Sequence, residues 1–185
     1  MYHKTDPWIF MKEEGSILIL GRKIFLVIAL TLVCGFASTI KAQEYPPRPV
    51  QVRFNDAQPL AFGAFTPGLS GGTVTVWPDG SRSSSGDVIL LNMAYLFTPG
   101  MFNIRANPGT VLSILVNPPV ILNGSNGGTI TLQTGGTLPV SPFVTTLPWP
   151  QQTAVLLGGT LTVGNIGANP AGSYTGNFNV TFVQE

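Results

Sequence analysis

Few side chains in this sequence could carry out chemistry, and most of those lie near its start. The only histidine is His3, the only cysteine is Cys34, and the last lysine is Lys41. After that point the densest polar cluster is Asp79-Gly80-Ser81, followed by Arg82 and the serines at 83–85. A serine nucleophile needs a neighbouring base, and no histidine or lysine follows residue 42 to act as one. A calcium loop needs several oxygen ligands at set spacing, yet only hydroxyl ligands stand between Asp79 and Asp87. A glycosidase needs two facing carboxyl groups, and Asp56, Asp79 and Asp87 are dispersed. Pro78-Asp79-Gly80 therefore reads as a hairpin turn with a polar tip. The Gly-Gly pairs before Thr73, Thr129 and Thr160 have no phosphate-binding lysine beside them and read as punctuation at strand starts. The triplet Asn123-Gly124-Ser125 fits a glycosylation acceptor but lies in a glycine-rich turn. Trp77 and Trp149 are flat aromatic surfaces on which a sugar ring could stack, although core or rim packing is their first reading. The expectation is no catalytic, cofactor or metal site, and no disulfide.

These residues must be placed by whatever folds after the leader. Residues 24–40 are apolar and uncharged, follow Arg22-Lys23, and are succeeded by Lys41-Ala42. This order reads as a secretory signal peptide over 1–42, cleaved after Ala42. A retained anchor is the alternative, since the run approaches the lower limit for a span. Val33 before Cys34 is not the small residue that lipid attachment wants, and Met11 offers a second start. The expected location is the periplasm, the cell surface or the exterior, with no membrane contact after cleavage. Export without cysteine is consistent, because a core of this size does not need a disulfide. Residues 43–185 keep four arginines against five acids, too little positive charge for nucleic-acid binding.

Close to a quarter of 43–185 is Gly or Pro, spread between runs rich in Val, Ile, Leu, Thr and aromatics. Short β-prone runs separated by turn clusters predict an all-β chain, an immunoglobulin-like antiparallel β-sandwich over 60–185. Expected strands are 50–54, 72–77, 87–92, 101–106, 110–116, 128–132, 160–164 and one alternating strand over 174–183. In that last strand Tyr174, Gly176, Phe178, Val180 and Phe182 share one face and Thr175, Asn177, Asn179 and Thr181 the other. Gly176 marks a bulge or a close approach by another backbone. The stretch 43–59 carries four prolines and then the alternating Val50, Val52 and Phe54. It reads as a Pro-rich extended arm or a first strand.

Three stretches resemble the bacterial domain of unknown function 4402 family: Phe62-Gly63 leading to GGTVTVWPDGSRSSSGDVILL at 71–91, MFNIRANPGTVLSILV at 101–116, and GGTLTVGNIGANPAGSYTGNFNVTF at 158–182. That resemblance implies a small exported all-β domain and no particular chemistry. A second similarity is to subunits of chaperone–usher pili, exported domains with an alternating last strand and a glycine fourteen residues from the C-terminus. Gly172 holds that place here, while Gln184 stands where the pattern has tyrosine. The pilin similarity implies assembly with copies of itself or other surface subunits by strand addition, and an assembly chaperone.

An alternating terminal strand and an exposed sheet edge are pairing elements in their own right. The expected function is a non-enzymatic cell-surface structural subunit, pilin-like or adhesion-type. The alternative is a monomeric exported module that binds surface polysaccharide through Trp77 or Trp149.

Overall fold

The computed structural model describes residues 48–115 and 117–185. The expected leader, the cleavage point and the first part of the arm lie outside the described residues. Contacts divide the chain into two units, Met1–Tyr45 and Pro46–Glu185, and every described residue belongs to the second.

The described domain is all-β, antiparallel and sandwich-like, with thirteen strands. They are β1 (Gln51–Phe54), β2 (Ala61–Phe62), β3 (Ala64–Val76), β4 (Arg82–Leu91), β5 (Phe97–Thr98), β6 (Gly100–Arg105) and β7 (Val111–Leu115). There follow β8 (Val120–Gly124), β9 (Thr129–Leu138), β10 (Phe143–Val144), β11 (Thr153–Val163), β12 (Tyr174–Thr175) and β13 (Thr181–Gln184). The main sheet runs β1-β6-β11-β9-β8-β12, and β3 joins it beside β11 with β4 as its other neighbour. A second sheet is β10-β7-β13, and β2 pairs with β5 as a short ribbon.

Strand β11 organises the core. Its first half, Thr153–Leu157, pairs with β6, and its second half, Gly159–Val163, pairs with β3 along the same edge. Its inward residues alternate, as period two requires. Val155 and Leu157 enter one apolar cluster with Phe102, Ile104, Leu112, Ile114 and Phe143. Leu161 and Val163 enter another with Val74, Val76, Val88, Leu122, Ile130 and Leu132. The β10-β7-β13 sheet covers the first cluster. The second is covered differently.

Its cover is a hairpin folded back on itself. Strands β3 and β4 pair from Val76↔Arg82 to Gly72↔Gly86, lose register, and resume from Pro67↔Val88 to Ala64↔Leu91. Val74 and Val76 from the inner half and Val88 from the outer half reach the same cluster, and Phe65 and Leu90 pack on it. Gly86 sits at the bend with φ +74°, where a side chain would be strained. Asp87 holds the opposite bulge by accepting the Ser70 N–H at 3.2 Å.

Several expectations are corrected here. The Gly-Gly pairs at 71–72 and 158–159 lie inside β3 and β11 rather than at strand starts; only the third pair precedes a strand, β9. They serve backbone approach, since a Cβ on Gly158 would stand 2.7 Å from the Val76 carbonyl oxygen. The hairpin turn expected at Pro78-Asp79-Gly80 does join β3 to β4, and the serines at 83–85 belong to β4. The expected single strand over 174–183 is two, β12 and β13, with no strand over 176–180. The reason is a change of partner: β12 pairs with β8 of the main sheet and β13 with β7 of the second. One ladder cannot serve both sheets, so the chain crosses between them.

Candidate functional site: an apolar groove beside the C-terminal crossover

The crossover keeps its two faces without a ladder. Tyr174, Phe178, Val180 and Phe182 are half-buried, while Thr175, Asn177, Asn179 and Thr181 are exposed. Phe178 packs against both apolar clusters, Tyr174 against the second, and Val180 and Phe182 against the first. Gly176 is exposed, and its backbone runs close to β8. A Cβ there would stand 2.6 Å from Leu122 Cδ2 and 3.1 Å from the Ile121 carbonyl oxygen. Gly172 lies apart from this alignment, in the loop before β12, close to Ser125.

Beside the crossover lies a groove of about 720 Å³. Leu122, Ile130, Leu132, Leu161 and Val163 of the main sheet line it, all of them members of the second cluster. Residues 60–67 and the stretch from Asn169 to Gly176 also line it, with Met93 and Tyr95. No lining residue is charged. The loop that carries Ile166 and Asn169 is held internally. Buried Asn169 donates from Nδ2 to the Thr129 carbonyl oxygen at 2.7 Å and accepts the Gly164 N–H at 2.5 Å. The Tyr174 hydroxyl donates to the Pro170 carbonyl oxygen at 2.8 Å. Facing them, Ala64–Pro67 pair with β4 on one side only; among the described residues no strand takes their other edge. An open edge next to an apolar trough is the geometry that accepts an extended peptide.

The arm is placed within its own domain. Val50 packs on the first cluster, and β1 pairs with β6 through Val52↔Ile104 and Phe54↔Phe102. Its grip is shallow: Val52 remains 39% exposed and Phe54 44%. The Phe54 ring meets Phe102 edge-on at 5.4 Å, and Phe102 meets Phe182 at the same distance. The first and last elements of the domain thus converge on one ring.

The two tryptophans differ. Trp149 is half-buried with the Arg48 guanidinium 5.3 Å above its ring, a rim position. Trp77 is 52% exposed beside the β3–β4 turn, although Val74 and Val76 before it are fully buried. Its exposure is greater than core packing allows. Among the described residues no three His, Cys, Asp or Glu side chains gather as metal ligands would.

Sequence reasoning missed the groove. Its walls come from segments a hundred residues apart in the chain, and each reads alone as ordinary strand or loop. The missing charge in both was the one signal available. No curated protein and no solved structure matches the chain. A family model does match, over residues 52–183, and by that match the chain belongs to the DUF4402 family, described as a domain of unknown function.

Proposed function

We propose that this protein is an exported, non-enzymatic structural subunit of a cell-surface assembly, joined to its neighbours by strand addition. The observation that carries the reading is the uncharged groove with the free Ala64–Pro67 edge on one wall and the Tyr174–Phe178 crossover on another. An incoming strand would pair its backbone with the open edge and set alternate apolar side chains against the half-buried Phe65, Tyr174 and Phe178. The segment with Val50, Val52 and Phe54 from a second copy has that alternation. Within its own domain it pairs over four residues at a sheet edge and leaves Val52 and Phe54 partly exposed. An assembly chaperone would guard the same groove before assembly. The absence of histidine, lysine and cysteine after Ala42 supports a role without catalysis.

The test is sedimentation of the purified protein over a wide concentration range, with Thr66→Arg as the blocking variant. Thr66 lines the groove and is half-exposed, so the variant should fold while placing a charge in the trough. Concentration-dependent ladders in the parent and monomers in Thr66→Arg are expected. A parent that stays monomeric at every concentration would refute strand addition.

A further inference from the structure

The groove does not use the opposite end of the hairpin, where Trp77 stands half-exposed. A lone exposed aromatic needs no explanation. This one lines a second concavity, of about 380 Å³, together with Pro78, Asp79, Ser81, Thr137 and Leu138. That volume lies within the range of small-molecule sites, about 300–1,000 Å³.

The site is held in place before any ligand arrives. The Trp77 N–H donates to the Ser81 carbonyl oxygen at 2.9 Å, and the Gly80 N–H donates to the Trp77 carbonyl oxygen at 2.9 Å. The indole Nε1–H points at Ser83 Oγ, 3.4 Å away. Pro78 rests against Gly136 and Gly158, which ties the turn to β9 and β11. Asp79 Oδ1 accepts both the Ser81 N–H at 2.8 Å and the Ser81 hydroxyl at 2.6 Å. Asp79 is itself exposed and lines the concavity beside the ring, so its carboxylate is within a ligand's reach. Leu138, 49% exposed, adds a second apolar surface, and Thr137 a hydroxyl.

We infer that the Trp77 face, with Asp79, Ser81 and Thr137 around it, is a binding subsite for a neutral saccharide. A pyranose has an apolar C–H face and a rim of hydroxyls. The indole and Leu138 match the face; the carboxylate oxygen and two side-chain hydroxyls match the rim. An acidic sugar would meet the Asp79 charge and be disfavoured. A quaternary ammonium could use the ring and the carboxylate, but with no N–H to donate it would leave the Ser81 and Thr137 hydroxyls unused. Because this site shares no residue with the groove lining, it does not depend on the assembly reading.

The experiment is a titration of the purified protein with cellohexaose, with chitohexaose, and with tetramethylammonium, followed in the parent and in every variant by the backbone amide resonances of Gly80 and Ser81, and where Trp77 is present by its indole N–H as well. A saturable shift with either oligosaccharide is expected, weakened roughly tenfold in Trp77→Ala and little changed in Trp149→Ala. Asp79→Asn keeps one acceptor but loses the charge, and should weaken saccharide binding a few-fold without abolishing it. Trp77 is exposed, so Trp77→Ala should melt with the parent, which separates lost binding from lost folding. No shift with either oligosaccharide overturns the inference. So does a shift with tetramethylammonium alone that Asp79→Asn abolishes, which would identify a cation site.

Discussion

The guanidinium of Arg82 donates from Nη2 to the carbonyl oxygen of Leu91 at 3.4 Å, although the two residues are the first and last of β4. A straight strand of that length would separate them by roughly 30 Å at 3.3 Å per residue, far beyond an arginine's reach. The bend at Gly86 is what brings them together. Arg82 Nη1 donates to the Phe62 carbonyl oxygen at 2.9 Å and lies near that of Ala64 at 3.4 Å, and the guanidinium sits 4.3 Å from the Phe97 ring centre. One cation therefore ties the inner half of the hairpin to its outer half and to the β2–β5 ribbon.

Arg82→Met should accordingly destabilise the domain by about 2–3 kcal/mol, because charge-assisted bonds are lost and part-buried carbonyl groups are left without a donor. Arg82→Lys should recover only a part, since an ammonium cannot fork to several acceptors. Denaturant melts of the three proteins measure this. Hydrogen exchange should accelerate at Val88–Leu91 before the rest of the sheet. Unchanged stability in Arg82→Met would mean that the fold-back is held by apolar packing alone.

That fold-back also marks the limit of what could be read from the residues in order. MFNIRA was fully legible, because Phe102, Ile104 and Ala106 are buried and alternate with half-exposed neighbours in one sheet. The run from Tyr174 to Phe182 was legible in its faces and not in its pairing. Alternation reports which side meets apolar surface, whereas the ladder depends on which strands stand beside it. Strand β3 was longer than expected because Pro67, a stop signal in isolation, is accommodated where the register breaks. Val120–Gly124 went unread because Pro118-Pro119 and the glycine turn leave only a short stretch between breakers. The groove had no local signature, being a space between segments rather than a property of one.

Phe178 tests the crossover itself. It is half-buried and touches both clusters, so Phe178→Ala should cost about 2–3 kcal/mol, below the 3–5 kcal/mol of a fully buried ring. Asn179 offers its carbonyl oxygen to Asn117 Nδ2 at 2.5 Å while its side chain faces water. Asn179→Ala should change stability by less than about 0.5 kcal/mol. Equal losses in the two variants would refute the assignment of faces, and a larger loss in Asn179→Ala would show them exchanged, the result of a one-residue slip.

Acid response should be confined to low pH. The Ser81 hydroxyl, and after it the Ser81 N–H, hold the Asp79 carboxyl below its ordinary value of 3.8. Folding thus favours the charged form; the contribution is complete above the unfolded value and is lost as pH falls through the lowered folded one. Ser81→Ala removes the larger cause, so the Asp79 titration followed by carboxyl carbon resonance should move up toward the ordinary value. With no histidine after Ala42, the melting temperature should stay flat from about pH 5 to about pH 8. A step within that window would mean that a titrating group, such as His3, remains in the folded protein.

Processing of the leader is the prediction on which the chemistry of the whole chain depends. Cleavage after Ala42 removes His3 and Cys34 together, along with every lysine. The intact mass of protein recovered from an exporting host should begin at Gln43, as glutamine or as its cyclised form. The product then has no thiol to oxidise and no imidazole or thiolate to hold a transition metal. Dithiothreitol and a strong chelator should each leave its melting temperature unchanged. A mass that retains 24–42 would favour a membrane anchor, with Cys34 still present. A melting shift of several degrees with reductant would point the same way, since only a retained Cys34 could form a disulfide, and then between two copies.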